Sequence, residues 1–131
     1  MTRVTPAAHP RLVLRAGGGG VWWSVVAANG RVLGGSPAPL ADTRAARVDF
    51  LALCPLLADL PVTFGLEHGA REWTWRIGDA ESGHVAVSGS RYERHATARA
   101  AFARFVLAAT ELCASGAAAT GGTGSARLGQ R

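Results

Sequence analysis

An ungapped shift of 52 residues lays one set of landmark residues in this chain on a second set. Leu12 falls on Phe64, Leu14 on Leu66, Trp23 on Trp75, Val25 on Ile77, Ser36 on Ser88, Ala46 on Ala98, Arg47 on Arg99, Phe50 on Phe102 and Leu53 on Phe105. The coincident positions are aromatic, aliphatic or turn-forming, in an order that reads as one supersecondary unit written twice. Neither unit, residues 10–61 or 62–113, can bury enough apolar surface to stand alone, so the two are expected to share one core.

Each unit reads as three strands and a helix. In the first, residues 11–15 alternate as a short strand, Gly17 to Gly20 make a flexible turn, and Val21, Trp23 and Val25 point to one face of a second strand by the period of two. Asn29-Gly30 predicts a type I′ hairpin, which needs positive φ at both central residues, and residues 31–35 follow as a third strand. Ser36-Pro37-Ala38-Pro39 is a connection, because proline breaks ladders and helix interiors. Asp42 or Thr43 can then cap a helix that buries Ala46, Phe50 and Leu53.

In the second unit, residues 62–67, 72–77 and 84–88 are the strands. Ala80-Glu81-Ser82-Gly83 is a looser hairpin, and a helix from about His95 to Leu112 buries Ala98, Phe102, Phe105, Ala109 and Leu112. Residues 1–9 are expected to be flexible, and residues 114–131, rich in glycine and without periodicity, a disordered tail.

The economical assembly is α+β: two tandem β-β-β-α repeats with pseudo-two-fold symmetry, one antiparallel sheet, and both helices packed on one face. The expected core is Trp23, Val25, Phe50, Trp73, Trp75, Ile77, Phe102 and Phe105. Among 131 residues, 48% are hydrophobic, with four Trp and four Phe, which excludes a chain disordered throughout.

The pattern resembles the YegP-like domains, a family of short tandem repeats of unknown function. The residues that carry the resemblance are Trp73-x-Trp75-x-Ile77 and Val21-x-Trp23-x-Val25, and the Ala28-Asn29-Gly30 turn before an aliphatic strand ending in Ser36. Residues 85–92, with Ser88 and Tyr92, followed by a helix bearing Ala98 and Phe102, repeat it. The resemblance covers about residues 10–113 and implies a tandem repeat with a sheet continuous across copies. It implies no activity and no catalytic residues. Leu40 stands where a tyrosine like Tyr92 is expected, and the second unit lacks Asn-Gly.

Chemistry-bearing motifs are sparse. The run from Gly17 to Gly20 lacks the Lys-Ser/Thr of a phosphate loop and leads into a strand, so it is a plain turn. Ser36 and Ser88 have no histidine accompanying them in both units, which favours hydroxyls that cap backbone groups over nucleophiles. His9, His68, His84 and His95 are scattered without metal-ligand spacing. No enzyme, catalytic residue, metal or cofactor is expected.

Cys54 and Cys113 share no C-x-x-C spacing and read as two small buried hydrophobes suited to a reducing compartment. The longest greasy stretch, residues 50–62, is interrupted by Pro55, Asp59 and Pro61, far short of a spanning helix. A cytoplasmic monomer without membrane contact is the expectation.

The 14 basic residues are all arginine and exceed 9 acidic ones for a net charge of +5. Arg127 and Arg131 lie in the expected tail, which leaves a mild balance elsewhere. Trp22 has outward parity, and with Arg76 and Arg31 it suggests an aromatic and guanidinium patch able to stack on bases or on a partner's side chain. Arg91, Arg94, Arg99 and Arg104 cluster near the second helix. The leading expectation is a non-enzymatic binding or interaction module whose surface includes Trp22, Arg76, Arg91, Arg94 and Arg99. Its partner is unidentified. The competing expectation is a nucleic-acid-binding protein that uses the exposed sheet face and the Arg-rich second helix.

Overall fold

A computed structural model describes residues 9–66, 71–79 and 83–116. The chain order is β1 (Arg11–Gly17), β2 (Gly20–Val26), β3 (Val32–Gly35), α1 (Thr43–Leu53), a 3-10 turn (Cys54–Leu56), β4 (Val62–Leu66), β5 (Trp73–Asp79), β6 (Gly83–Ser88) and α2 (His95–Ser115). All six strands form one antiparallel sheet in the order β1-β2-β3-β6-β5-β4. The join between β3 and β6 is short, with Gly34 opposite Ser88 and Gly35 opposite Val87.

Local chemistry shapes the hairpins differently from the sequence expectation. Between β1 and β2 the ladder runs to Gly17 opposite Gly20, leaving Gly18-Gly19 as a two-residue turn with φ of +60° and +94°. Positive φ at both central positions is what a type I′ turn requires, and glycine adopts it without a Cβ clash. Asn29-Gly30 does not make that turn. The Gly30 N–H donates to the Ala27 carbonyl, which places Ala28 and Asn29 at the centre, and Gly30 follows at φ +89°. Asn29 Oδ1 accepts from the Arg31 N–H, and the register shifts between Val25 and Val26. This is a three-residue loop with a bulge glycine.

The helices begin in contrasting ways. In α1 the Asp42 carboxylate accepts from the Ala45 N–H at 2.8 Å, and Ala46, Phe50 and Leu53 are buried as their spacing predicts. In α2 Arg94 precedes the first turn and no side chain caps it. The helix buries Ala98, Ala101, Phe105, Ala108, Ala109 and Leu112, and it continues through Ser115 to a left-handed Gly116. Ala114 and Ser115 are therefore helical rather than tail, because the Gly116 αL conformation, not loss of periodicity, ends the helix. The Ala80 to Ser82 turn, the greater part of the expected flexible N-terminus and the rest of the expected tail lie outside the described residues.

One cluster holds the sheet and both helices together. Trp23 packs edge-on against Phe50 of α1 at 5.2 Å, and Trp75 packs against Phe102 and Phe105 of α2 at 5.2 and 4.8 Å. Trp23, Val25, Phe50, Trp75, Ile77 and Phe105 are fully enclosed. Trp73 does not join them. It pairs with Leu66 on the edge strand β4 and lies against the His95 ring at 4.7 Å, so it is half-buried at the margin where the helix layer ends. Phe102 is also half-buried, bridging Trp75 and Phe64.

Hydrogen bonds recur at the 52-residue spacing. The Trp23 N–H donates to Ser36 Oγ at 3.1 Å, and the Trp75 N–H to Ser88 Oγ at 3.4 Å. Val21 and Leu40 exchange a pair of backbone bonds, as do Trp73 and Tyr92. The leucine at position 40 therefore keeps the backbone bridge that Tyr92 makes.

One pair of side chains breaks the correspondence. The Trp23 indole donates to Asp49 Oδ2 at 2.8 Å. The residue 52 positions after Asp49 is Ala101, and the Trp75 indole nitrogen is buried with no hydrogen-bond partner among the described residues. Asp49→Ala should leave Trp23 in the same state and cost about 1–3 kcal/mol, whereas Asp49→Asn keeps an acceptor and should cost less. Urea denaturation of both variants checks this, and equal losses would show that the acceptor is not what matters.

The cysteines differ most from expectation. Cys54 and Cys113 form a disulfide, with Cα atoms 6.0 Å apart across a sequence separation of 59. They are half-buried, not a pair of inert core hydrophobes, because the fold brings the end of α1 beside the last turns of α2. Among the described residues, no helix is long and apolar enough to cross a membrane.

Candidate functional site

The outward positions of β5 and β6, and the loop from β6 into α2, surround two neighbouring hollows. The first, about 300 Å³, is lined by Thr74 and Arg76 of β5, Val87 and Ser88 of β6, then Gly89, Ser90 and Arg91, with Trp75 at its floor. The β5–β6 register sets Arg76 opposite Val87, and alternation along β5 turns Arg76 outward while Trp75 and Ile77 enter the core. The second hollow, about 380 Å³, is lined by Arg91, Tyr92, Glu93, Arg94 and Thr97 at the start of α2. Arg91 belongs to both.

The charge balance around these hollows is positive but not uniform. Arg91 Nη1 lies 3.8 Å from Glu72 Oε1, and both side chains are substantially exposed. A pair so long and so wet contributes little stability and is easily exchanged for another anion. The uncapped first turn of α2 adds the positive end of a helix dipole beside Arg91 and Arg94. Burial holds the Tyr92 hydroxyl above the ordinary phenol range, opposed by a hydrogen bond to Ser90 and by the charges of Arg104 and Arg31. Tyr92 therefore stays a neutral donor over the physiological range.

The structure gathers only part of the sequence-predicted surface. Arg76, Arg91 and Arg94 come together around the two hollows. Arg99 is exposed on α2 and lines neither. Trp22 is remote, paired across the ladder with Arg15, its indole donating to the Gly17 carbonyl at 2.8 Å. Two strands, β3 and β6, intervene between Trp22's strand and that of Arg76, which is about 14 Å across the sheet. Arg31 sits at the β2–β3 hairpin, away from the β1–β2 turn on which Trp22 rests. The expected patch of Trp22, Arg76 and Arg31 is thus divided, because parity fixes a face but not a neighbour. Thr74, Ser90 and Tyr92 were not singled out as site residues, since their convergence depends on strand pairing.

Among the described residues around these hollows, no hydroxyl or thiol is paired with a histidine. Ser88 Oγ accepts the Trp75 N–H, and the His95 ring meets Phe64 edge-on and Trp73 at a tilt. His9 lies 3.3 Å from Glu111, His84 belongs to β6 and His68 lies outside the described residues. Among the described residues no group of three or more His, Cys, Asp or Glu is placed to hold a metal ion. Arg47 and Arg99, alike in sequence position, differ in setting. Arg47 Nε is enclosed without a hydrogen-bond partner among the described residues, while Arg99 is exposed.

No family model and no curated protein matches the chain. A solved structure does: the solution NMR structure of yegP from E. coli, a protein of unknown function, is similar with a TM-score of 0.57 and 11% sequence identity. The similarity covers 78% of this chain and 87% of that one. At that identity the likeness speaks to architecture alone, and the chain has a YegP-like α+β fold, one six-stranded antiparallel sheet with two helices.

Proposed function

We propose that the chain is a small non-enzymatic binding module that holds an anionic partner on the surface around Arg76, Arg91 and Arg94. The observation that carries this is Arg91, whose side chain borders both hollows and is tied only loosely to Glu72. Hydroxyls from Ser88 and Ser90 and the open start of α2 supply donors suited to carboxylate or phosphate oxygens. The scaffold is read as two tandem β-β-β-α copies about a pseudo-two-fold axis between β3 and β6, with both helices on one face. The recurring Trp–Ser bonds and bridges at the 52-residue spacing, and the mirror order of the strands, support that reading. The Cys54–Cys113 bond favours an oxidising compartment over the cytoplasm.

Nucleic acid is the second reading, favoured by the run of Arg91, Arg94 and Arg99 along the start of α2. Separation of Trp22 from these arginines removes the stacking residue first assigned to it.

Titration of the full chain with single-stranded nucleic acid and with an acidic peptide of matched charge, at low and near-physiological salt, separates the two readings. Binding should weaken as salt rises, and Arg91→Ala should weaken it about tenfold while Trp22→Phe leaves it unchanged. Equal affinity for both polymers favours a general anion surface, and a preference for nucleic acid favours the second reading. Absence of binding at low salt, or an unaltered Arg91→Ala, would remove this surface from consideration.

A further inference from the structure

The side of α2 turned away from the sheet is unusual for a surface helix. Ala96, Ala100, Ala103, Leu107, Thr110 and Ala114 recur at spacings of four and three, all are exposed, and none is charged. An exposed helix face ordinarily carries charge there, and an alternating four-three spacing is that of a coiled-coil seam. Leu107 is 71% exposed, more than the other exposed large hydrophobic residues among those described. Beside it opens a mostly apolar hollow of about 220 Å³, floored by Leu33, Ala27 and Pro10 and rimmed by Arg104 and Glu111.

Apolar character alone does not name an occupant, but the charges beside it do. Arg104 and Glu111 are seven residues apart, hence on the same flank of the helix, one on either side of Leu107. If a second α2 is laid antiparallel across Leu107, each arginine meets the other helix's glutamate, twice, by symmetry. In a parallel pair Arg99 would face Arg104, a repulsion. A pattern complementary to its own reverse is the signature of a two-fold contact between identical surfaces.

We propose that α2 is a self-association seam. Two copies of this chain pair α2 with α2 antiparallel, Leu107 against the partner's Leu107 and Arg104 against the partner's Glu111, with Ala100 and Ala103 allowing close approach. Within one chain Glu111 lies 3.3 Å from His9, but both groups are exposed, and so weak a contact yields readily to the arginine. The seam is independent of the Arg91 surface. It also departs from the monomer that two mutually satisfying repeats predict.

Sedimentation equilibrium of the full chain over a wide concentration range tests this. A monomer–dimer equilibrium is expected, and Leu107→Glu should raise its Kd about a hundredfold. Arg104→Glu and Glu111→Arg should each raise it about tenfold, and the two together should restore it, because the swapped charges face each other again. Unchanged circular dichroism and melting show that the variants fold, and should Leu107→Glu fail that check, the exposed charge swap decides. A chain monomeric to about 1 mM, a dimer indifferent to Leu107→Glu, or a swap without rescue would each overturn the seam.

Discussion

Reduction of the Cys54–Cys113 bond is expected to lower the stability of the fold by about 4 kcal/mol, and its Tm by more than about 10 °C. The bond closes a loop spanning 59 residues, which contains β4, β5, β6 and nearly all of α2. In the unfolded chain that closure removes conformational entropy that grows with the logarithm of loop length, so a long loop gives a large effect. In the folded chain it fastens the segment after α1, where Pro55 and Leu56 are exposed, to the end of α2. Urea denaturation with and without a thiol reductant, beside the double variant Cys54→Ser/Cys113→Ser, measures it. The reduced protein and the double variant should agree, and a double variant as stable as the oxidised chain would show that the bond contributes nothing.

The second large effect is expected at Phe105. Its ring is fully buried, 4.8 Å from Trp75, and it lies under Gly34 of β3. Phe105→Ala should cost about 3–5 kcal/mol, because transfer energy and a cavity add. Gly34 is the other half of this contact. A Cβ there would come within 2.7 Å of both Phe105 Cδ1 and Trp75 Cη2, too close for either enclosed ring to accept without shifting. Gly34→Ala alone should cost about 1–3 kcal/mol by overpacking. Combined with Phe105→Ala it should cost less than the sum, because the cavity admits part of the methyl, while Trp75 still limits the relief. Thermal melts of the two single variants and the double variant give the coupling, and strict additivity would mean that the two residues do not press on each other.

Much of this molecule was legible in its residues. Alternation fixed Val21, Trp23 and Val25 as one face, and Asp42 with Ala46, Phe50 and Leu53 gave α1 its start and its buried stripe. Those signals are local, set by backbone periods and capping chemistry. What failed required knowledge of which elements meet. Two cysteines 59 residues apart carry no mark of their adjacency, and Trp22 and Arg76 share outward parity across a sheet whose order parity does not reveal. The Asn29-Gly30 signal was right about a hairpin and wrong about its shape, because hydrogen bonding between Ala27 and both Gly30 and Arg31 favours a bulged loop. Trp73 shares the strand face of Trp75 and Ile77, yet it meets α2 at its first residue, His95, and stays half-buried there.

Among the described residues, four of the five neighbouring strand pairs join strands consecutive in the chain, and only β3 and β6 are brought together from afar. Hairpins close within microseconds, whereas a long-range pairing must first overcome the entropy of closing a large loop. Gly34 and Gly35, which make that pairing, offer no side chain to guide it. Pairing β3 with β6 therefore carries the largest loop-closure cost in the sheet, and a closed Cys54–Cys113 bond, which ties the end of α1 to the last turns of α2, shortens the chain path between those two strands.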